Sequence, residues 1–189
     1  MVKAIGSNVA QYVTVKTFVD ALGKLVVEQL QPQLLHAGRR LSETPPFPWS
    51  RSTLVAQKCV FNLVPCDNEL ERDFAKFLQN AKDVERFAKL PPQFGFAIEY
   101  MDNMSNLRYY EPDFVAVTAD AVHYIVETKG LEDVNVINKD RAAQLWCENA
   151  SNLTGKPWAY LKVRQKEFTS LQPSSFTDLL VLRSPESLW

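Results

Sequence analysis

Histidine is scarce. His36 and His123 are the only two among 189 residues, too few for the imidazole clusters that hold catalytic zinc, which excludes a histidine-metal nuclease or deaminase. Cysteine is nearly as rare: Cys59, Cys66 and Cys147 make an odd number without C-x-x-C spacing. That pattern excludes a disulfide framework and a zinc site, points to buried thiols in a reducing cytosol, and leaves no thiol–imidazole pair for a protease. No phosphate-binding G-x-x-x-x-G-K-[ST] loop occurs, so ATP hydrolysis of the usual kind is excluded. The N-terminus lacks a signal-peptide arrangement and no apolar run approaches the length of a membrane span, so a soluble intracellular protein is expected. A basic excess is missing too. The net charge is −1 and the pI about 6.1, unlike a free-standing nucleic-acid binder; any such affinity must come from a local patch, a metal or a larger assembly.

What is present is enough apolar material, 46% of the chain, for one domain with a real core. The organising stretch runs from Tyr109 to Gly130. Phe114 to Thr118 and Val122 to Thr128 are rich in β-branched and aromatic residues, with Ala119-Asp120 as a polar break, which predicts a β-hairpin. A turn centred near Asp120 sets Asp113 directly opposite Glu127. Two carboxylates then face each other across the open end, close enough to hold one divalent cation. Lys129 projects on the same side as Glu127, one step further out. The alternative is an ordinary hairpin ending in solvated charges.

Pro112-Asp113 followed by Glu127-Thr128-Lys129 resembles the PD-(D/E)xK nuclease superfamily. More narrowly, Asn62-Leu63-Val64-Pro65-Cys66, Glu71-Arg72-Asp73-Phe74-Ala75, Tyr110-Glu111-Pro112-Asp113-Phe114, Glu127-Thr128-Lys129-Gly130 and Lys139-Asp140-Arg141-Ala142-Ala143 are similar to the C-terminal endonuclease domain of type III restriction enzymes and their helicase-linked relatives. The resemblance spans roughly Val60 to Phe168.

Elsewhere, Asn8 to Leu35 has helical apolar spacing and predicts one long or broken amphipathic helix ending near Gln31-Pro32. Thr44 to Trp49 carries three prolines and reads as a stiff strap, with Phe47 and Trp49 pinned to the core surface. Lys58 to Val64 predicts a strand stopped by Pro65. A helix capped by Asp67 or Asn68 runs to about Asn80, burying Leu70, Phe74, Phe77, Leu78 and Ala81. Asp83 to Leu90 predicts a short helix. Phe94 to Tyr100 and Leu107 to Tyr110 predict strands around a turn at Asp102 to Asn106. Leu131 to Asn138 reads as an acidic loop, Lys139 to Ser151 as a helix, Trp158 to Arg164 as a strand, and Leu179 to Leu182 as part of a closing element.

The expected architecture is therefore α/β: helix, three-stranded meander, helix, strand, forming the mixed sheet flanked by helices of a restriction-endonuclease-like core. An N-terminal helical segment and linker take residues 1–50, the nuclease core 51–170 and a tail 171–189. By resemblance, Asp113 and Glu127, with the backbone carbonyl of Thr128, hold Mg²⁺, or Mn²⁺ in its place, and Lys129 orients the attacking water. The same resemblance implies cleavage that leaves a 5′-phosphate and a 3′-hydroxyl. Glu71 has two readings, an extra metal or water contact or a helix-start carboxylate favoured by the macrodipole. Lys139, Gln144, Lys162 and Arg164 are candidate DNA contacts, the alternative being a solvated face. The implied partners are double-stranded DNA, a helicase motor in the parent chain and a DNA methyltransferase, in a prokaryotic cytoplasm. A nuclease-shaped docking or DNA-binding module without turnover, and action on RNA or single strands, are the competing functions.

Overall fold

The structure is a computed structural model that describes residues 8–26, 32–34, 38–104, 106–130 and 136–183. The expected helix end at Gln31, His36, most of the acidic loop and the last residues of the tail lie outside that set. No helix among the described residues is long and apolar enough to cross a membrane.

The main sheet has four strands in the order β3 (Val84–Lys89), β6 (Phe114–Thr118), β7 (His123–Lys129) and β8 (Trp158–Arg164). The first three are antiparallel neighbours, whereas β7 and β8 run parallel. A parallel pair needs a long crossover. Helix α3 (Val136–Thr154) supplies it and covers one face of the sheet, burying Ala143 and Cys147 against Ile125 and Tyr160. Helix α2 (Glu69–Asn80) covers the other face with Phe74, Ala75 and Leu78, packed on Phe114, Val126 and Leu161. The alternation along β7, with Tyr124 and Val126 toward α2 and Ile125 toward α3, is what two covered faces demand of a strand.

Helix α2 begins where the sequence allows. The side chain of Asn68 accepts the backbone N–H of Glu71 at 3.0 Å, and Asn68 holds the extended conformation of a cap. Phe74 then meets Phe114 edge-on, with ring centroids 5.3 Å apart. The segment from Phe176 onward, outside the expected core, is held by Asp83, whose carboxylate accepts the N–H groups of Phe176 and Thr177 at 2.7 and 2.9 Å and the Thr177 hydroxyl at 2.9 Å. Phe176 and Leu179 are thereby buried in the α2-side core.

Three expectations are corrected. Asp83 to Leu90 is not a helix: it contributes β3, the outer strand of the sheet. A register shift between Val84 and Arg86 inserts one extra residue, so the buried apolar positions fall at Val84, Phe87 and Ala88. That is helical spacing produced by a β-bulge. Second, Phe94 to Tyr100 and Leu107 to Tyr110 do not join the main sheet. They form a separate ribbon of β4 (Ile98–Met101) and β5 (Leu107–Tyr110) inserted between β3 and β6. The three-strand meander is still made, by β3, β6 and β7. Third, Lys58 to Val64 is not a strand. Only Cys59 bridges the free edge of β3 at Phe87, and Pro65 lies inside the two-residue strand β2 (Val64–Pro65), paired with β1 (Thr53–Leu54). Helix α1 (Asn8–Val26) exists as expected, but Val9, Tyr12, Val13, Val15 and Phe18 on it are exposed. Phe47 and Trp49 are half-buried and touch edge to face.

The hairpin turn places Ala121 at φ 63°, a left-handed conformation that costs a residue with a Cβ about 1–2 kcal/mol. Ala121→Gly is expected to raise stability by about 0.5–1 kcal/mol in urea melts. Asp83 tests the closure of the core. Burial pushes its carboxyl up, but the hydrogen bonds from Phe176 and Thr177 outweigh that and bring it below its ordinary value. A depressed carboxylate stabilises above the unfolded-state pKa and loses that contribution as pH falls through the folded value. Asp83→Ala should therefore cost about 1.5–3 kcal/mol at pH 7, with the gap to the parent narrowing as melts are taken below about pH 4.

Candidate active site

The β6–β7 ladder pairs Phe114 with Val126, Val115 with Ile125, Ala116 with Tyr124 and Val117 with His123. This is the register that a turn at Asp120 imposes. One step beyond the last rung stand Asp113 and Glu127. The chain arriving at Asp113 is tied to β3, because the N–H of Leu90 donates to the carbonyl of Asp113 at 2.8 Å.

The carboxylate of Asp113 is held at both oxygens. Oδ2 accepts the backbone N–H of Thr128 at 2.8 Å and its hydroxyl at 2.7 Å. Oδ1 accepts the ammonium of Lys89 at 3.0 Å. An ionised carboxylate offers about four lone-pair sites, so among the described residues one place on Oδ1 is left over. Glu127 is held differently: its Oε2 accepts the hydroxyl of Tyr110 at 3.1 Å. Burial, and after it the charge of Asp113, pushes the Glu127 carboxyl up to about 7. Lys129 and Lys139 are the cations that pull it back. Lys129 is half-buried, on the Glu127 face of β7, and paired in register with Arg164.

Glu71 lies inside the first turn of α2 and is 4% exposed. Its Oε2 accepts the N–H of Asp67 at 2.8 Å and its Oε1 the side-chain amide of Asn68 at 3.1 Å, the capping arrangement of a helix start. Oε1 is also 3.4 Å from the ammonium of Lys89. Burial raises the Glu71 carboxyl more than Lys89 and the Asp67 N–H lower it. Lys89 is thus the residue that joins Glu71 to Asp113. Sequence reasoning missed it because it sat in a stretch read as helix; on a strand paired with β6, its position opposite Phe114 puts it beside Asp113.

The four expected DNA contacts separate. Lys139 opens the helical face nearest the site, within electrostatic reach of Glu127 and 5.9 Å from the ring centre of Tyr100. Gln144 lines an open groove between α3, β4 and β8, shared with Tyr100 and Tyr160. Lys162 turns inward instead, its side chain 10% exposed and its ammonium 2.7 Å from Asp140. Arg164 is more open and meets Glu167 at 3.1 Å. Two buried tyrosines also escaped sequence reasoning. Tyr110 donates to Glu127, and Tyr160 donates to Asp140 at 2.8 Å. Burial first, and then those carboxylates, hold both phenols protonated, far above the ordinary tyrosine value. The only advance signal was their place in the Tyr110-Glu111-Pro112-Asp113 and Trp158-to-Arg164 segments.

The cysteine thiols are held protonated by burial. Burial pushes Cys66 up to about 11 and Cys147 up to about 12, and raises Cys59, the reverse of an activated thiol. Among the described residues, no three side chains of His, Cys, Asp or Glu converge on one point. Zinc and calcium ask for such a cage. The donor set at Asp113 and Glu127 is two carboxylates, all oxygen. It fits Mg²⁺, which is commonly bound by one or two carboxylates with water and substrate phosphate completing the shell.

Glu127 supplies a pH test in EDTA. Its folded value of about 7 lies above the unfolded value near 4.3, so ionisation opposes folding. The penalty is absent at low pH, grows as pH rises toward the folded value and is complete above it. Glu127→Gln should then stabilise the metal-free protein by about 1–3 kcal/mol in urea melts at pH 8, with most of that gain gone at pH 5.

Neither a search of curated proteins nor a search of solved structures returned a match. The family model described as an endonuclease domain matches residues 57–166. That interval contains α2, all four strands of the main sheet, α3 and every residue of the acidic site. By this match over more than half its length, the chain belongs to the endonuclease domain family.

Proposed function

We propose that this chain is a Mg²⁺-dependent endodeoxyribonuclease domain that hydrolyses phosphodiester bonds in double-stranded DNA, at a site built by Asp113, Glu127 and Lys129. The observation that carries this reading is the placement of Asp113 and Glu127 one step beyond the last rung of a hairpin in register, with the charge of Asp113 helping to raise Glu127 to about 7. Such an electrostatic conflict is relieved by a cation. Membership of the endonuclease domain family supports the nuclease class.

In this reading Asp113 and Glu127 hold the ion, with the carbonyl of Thr128 as a further ligand. When bound, Mg²⁺ supplies Lewis-acid neutralisation of the scissile phosphate and lowers the pKa of the attacking water. Asp113 is oriented in advance by Thr128 and Lys89, so little rearrangement is needed on binding. Tyr110 orients Glu127 by donating to Oε2 and keeps that oxygen from turning away. Lys129, on the Glu127 face, is placed to orient the nucleophile and to stabilise the negative charge growing on the phosphate. Lys139 and Arg164 flank this end of the sheet and suit backbone phosphates, whereas Lys162 serves α3 through Asp140.

The sequence motifs further suggest a type III-like restriction or helicase-nuclease defence system, with a helicase motor in the parent chain, a methyltransferase as a partner and a prokaryotic cytoplasm as the setting. The exposed apolar side chains of α1 agree with a neighbouring domain. The expected result with supercoiled plasmid is nicking or linearisation with Mg²⁺, none with EDTA, and a loss of about 10²-fold or more for Asp113→Ala and for Lys129→Ala. Cleavage that survives both substitutions would place the chemistry elsewhere.

A further inference from the structure

Lys89 is the most completely enclosed cation among those whose burial is described. Its side chain is 7% exposed, and its ammonium lies 3.0 Å from Asp113, 3.4 Å from Glu71 and 3.9 Å from Asp67. The residue sits on β3 at a rung paired with Phe114, and its ammonium stands 5.5 Å from the centre of that ring. Burial draws the lysine down, but Asp113 and Glu71 outweigh it and hold the ammonium above its ordinary value. Without this charge, Glu71 and Asp113 would share one enclosed corner with no neutralising cation among the described residues, since Asp67 is more exposed and already paired with Arg51. A multivalent metal ion is the other group that could fill such a corner.

The lone pairs around it are already spoken for. Glu71 Oε1 accepts from Asn68 and faces Lys89, and its Oε2 accepts from Asp67. On Asp113, Thr128 occupies Oδ2 and Lys89 takes one side of Oδ1. A divalent ion bridging Glu71 and Asp113 would have to displace Lys89. One bound between Asp113 and Glu127 would not.

We propose that Lys89 is a built-in cation that takes the place of a second divalent ion on the Glu71 side of the site, so that the centre accepts a single exchangeable metal. This rests on the nuclease reading above and extends it to the number of ions. Lys89 is then a positioning residue, and Glu71 acts on Lys89 and on the start of α2, not on the metal.

Counting bound Mn²⁺ on the full chain at neutral pH, from the free-ion electron paramagnetic resonance signal, decides the matter without any turnover. One ion per chain is expected for the parent protein and for Glu71→Gln. Lys89→Met should bind two, and Lys89→Met combined with Glu71→Gln should return to one. Two ions in the parent, loss of the ion in Glu71→Gln, or a folded Lys89→Met that still binds one would each overturn the role of Lys89. If circular dichroism finds Lys89→Met unfolded, Glu71→Gln decides alone: an unchanged ion supports the proposal and a lost ion refutes it. No ion in the parent protein would refute the metal-dependent reading itself, and this inference with it, whereas a two-ion parent leaves that reading standing.

Discussion

The site depends on one constraint, the register of β6 against β7. Because side chains alternate along a strand, a slip of one residue would send Asp113 and Glu127 to opposite faces and carry Phe114 and Val126 out of the core. Both of those apolar residues are fully buried under α2. The packing that stabilises the fold therefore fixes the alignment of the two acids. Hydrogen bonds from Thr128 and Lys89 then orient Asp113, and one from Tyr110 orients Glu127.

Charge balance is the second theme. The open end of the hairpin gathers Asp67, Glu71, Asp113 and Glu127 against Lys89 and Lys129. Glu71 and Lys89 are almost wholly enclosed and Asp113 partly so. Removing one member of a buried ion pair usually costs about 3–5 kcal/mol, because the abandoned partner stays desolvated. Glu71 and Asp113 accordingly share Lys89, with the helix start and Thr128 completing their partners, while Glu127 has Tyr110. Among these hydrogen bonds Glu127 has a neutral donor, and the cations that act on it, Lys129 and Lys139, do so through space.

Much of this was legible in the chain, for identifiable reasons. The hairpin was readable because Phe114 to Thr118 and Val122 to Thr128 are continuous runs around one polar break, and the register followed by arithmetic from Asp120. Helix α2 was readable because Asn68 is a strong cap and the stripe from Leu70 to Leu78 is regular. Strand β3 was not, since its bulge displaces Phe87 and Ala88 into helical spacing from Val84; Lys89 was lost along with it. The ribbon's strands were visible, but whether Ile98 pairs with Tyr110 alone or joins the larger sheet depends on tertiary contacts that no local pattern encodes. Lys162 looked like part of a basic run because its partner, Asp140, lies on a different element, brought near only by the α3 crossover.

The hydrogen bond between Leu90 and Asp113 ties together the points where the chain departs from β3 and returns to β6. Everything from Pro91 to Pro112 is consequently an excursion sealed at its neck. Ile98 and Tyr110 pin its base into the core under α3, so length and composition have room to change only toward the turn at Asp102. Change at that tip is thus mechanically insulated from Asp113 and Glu127.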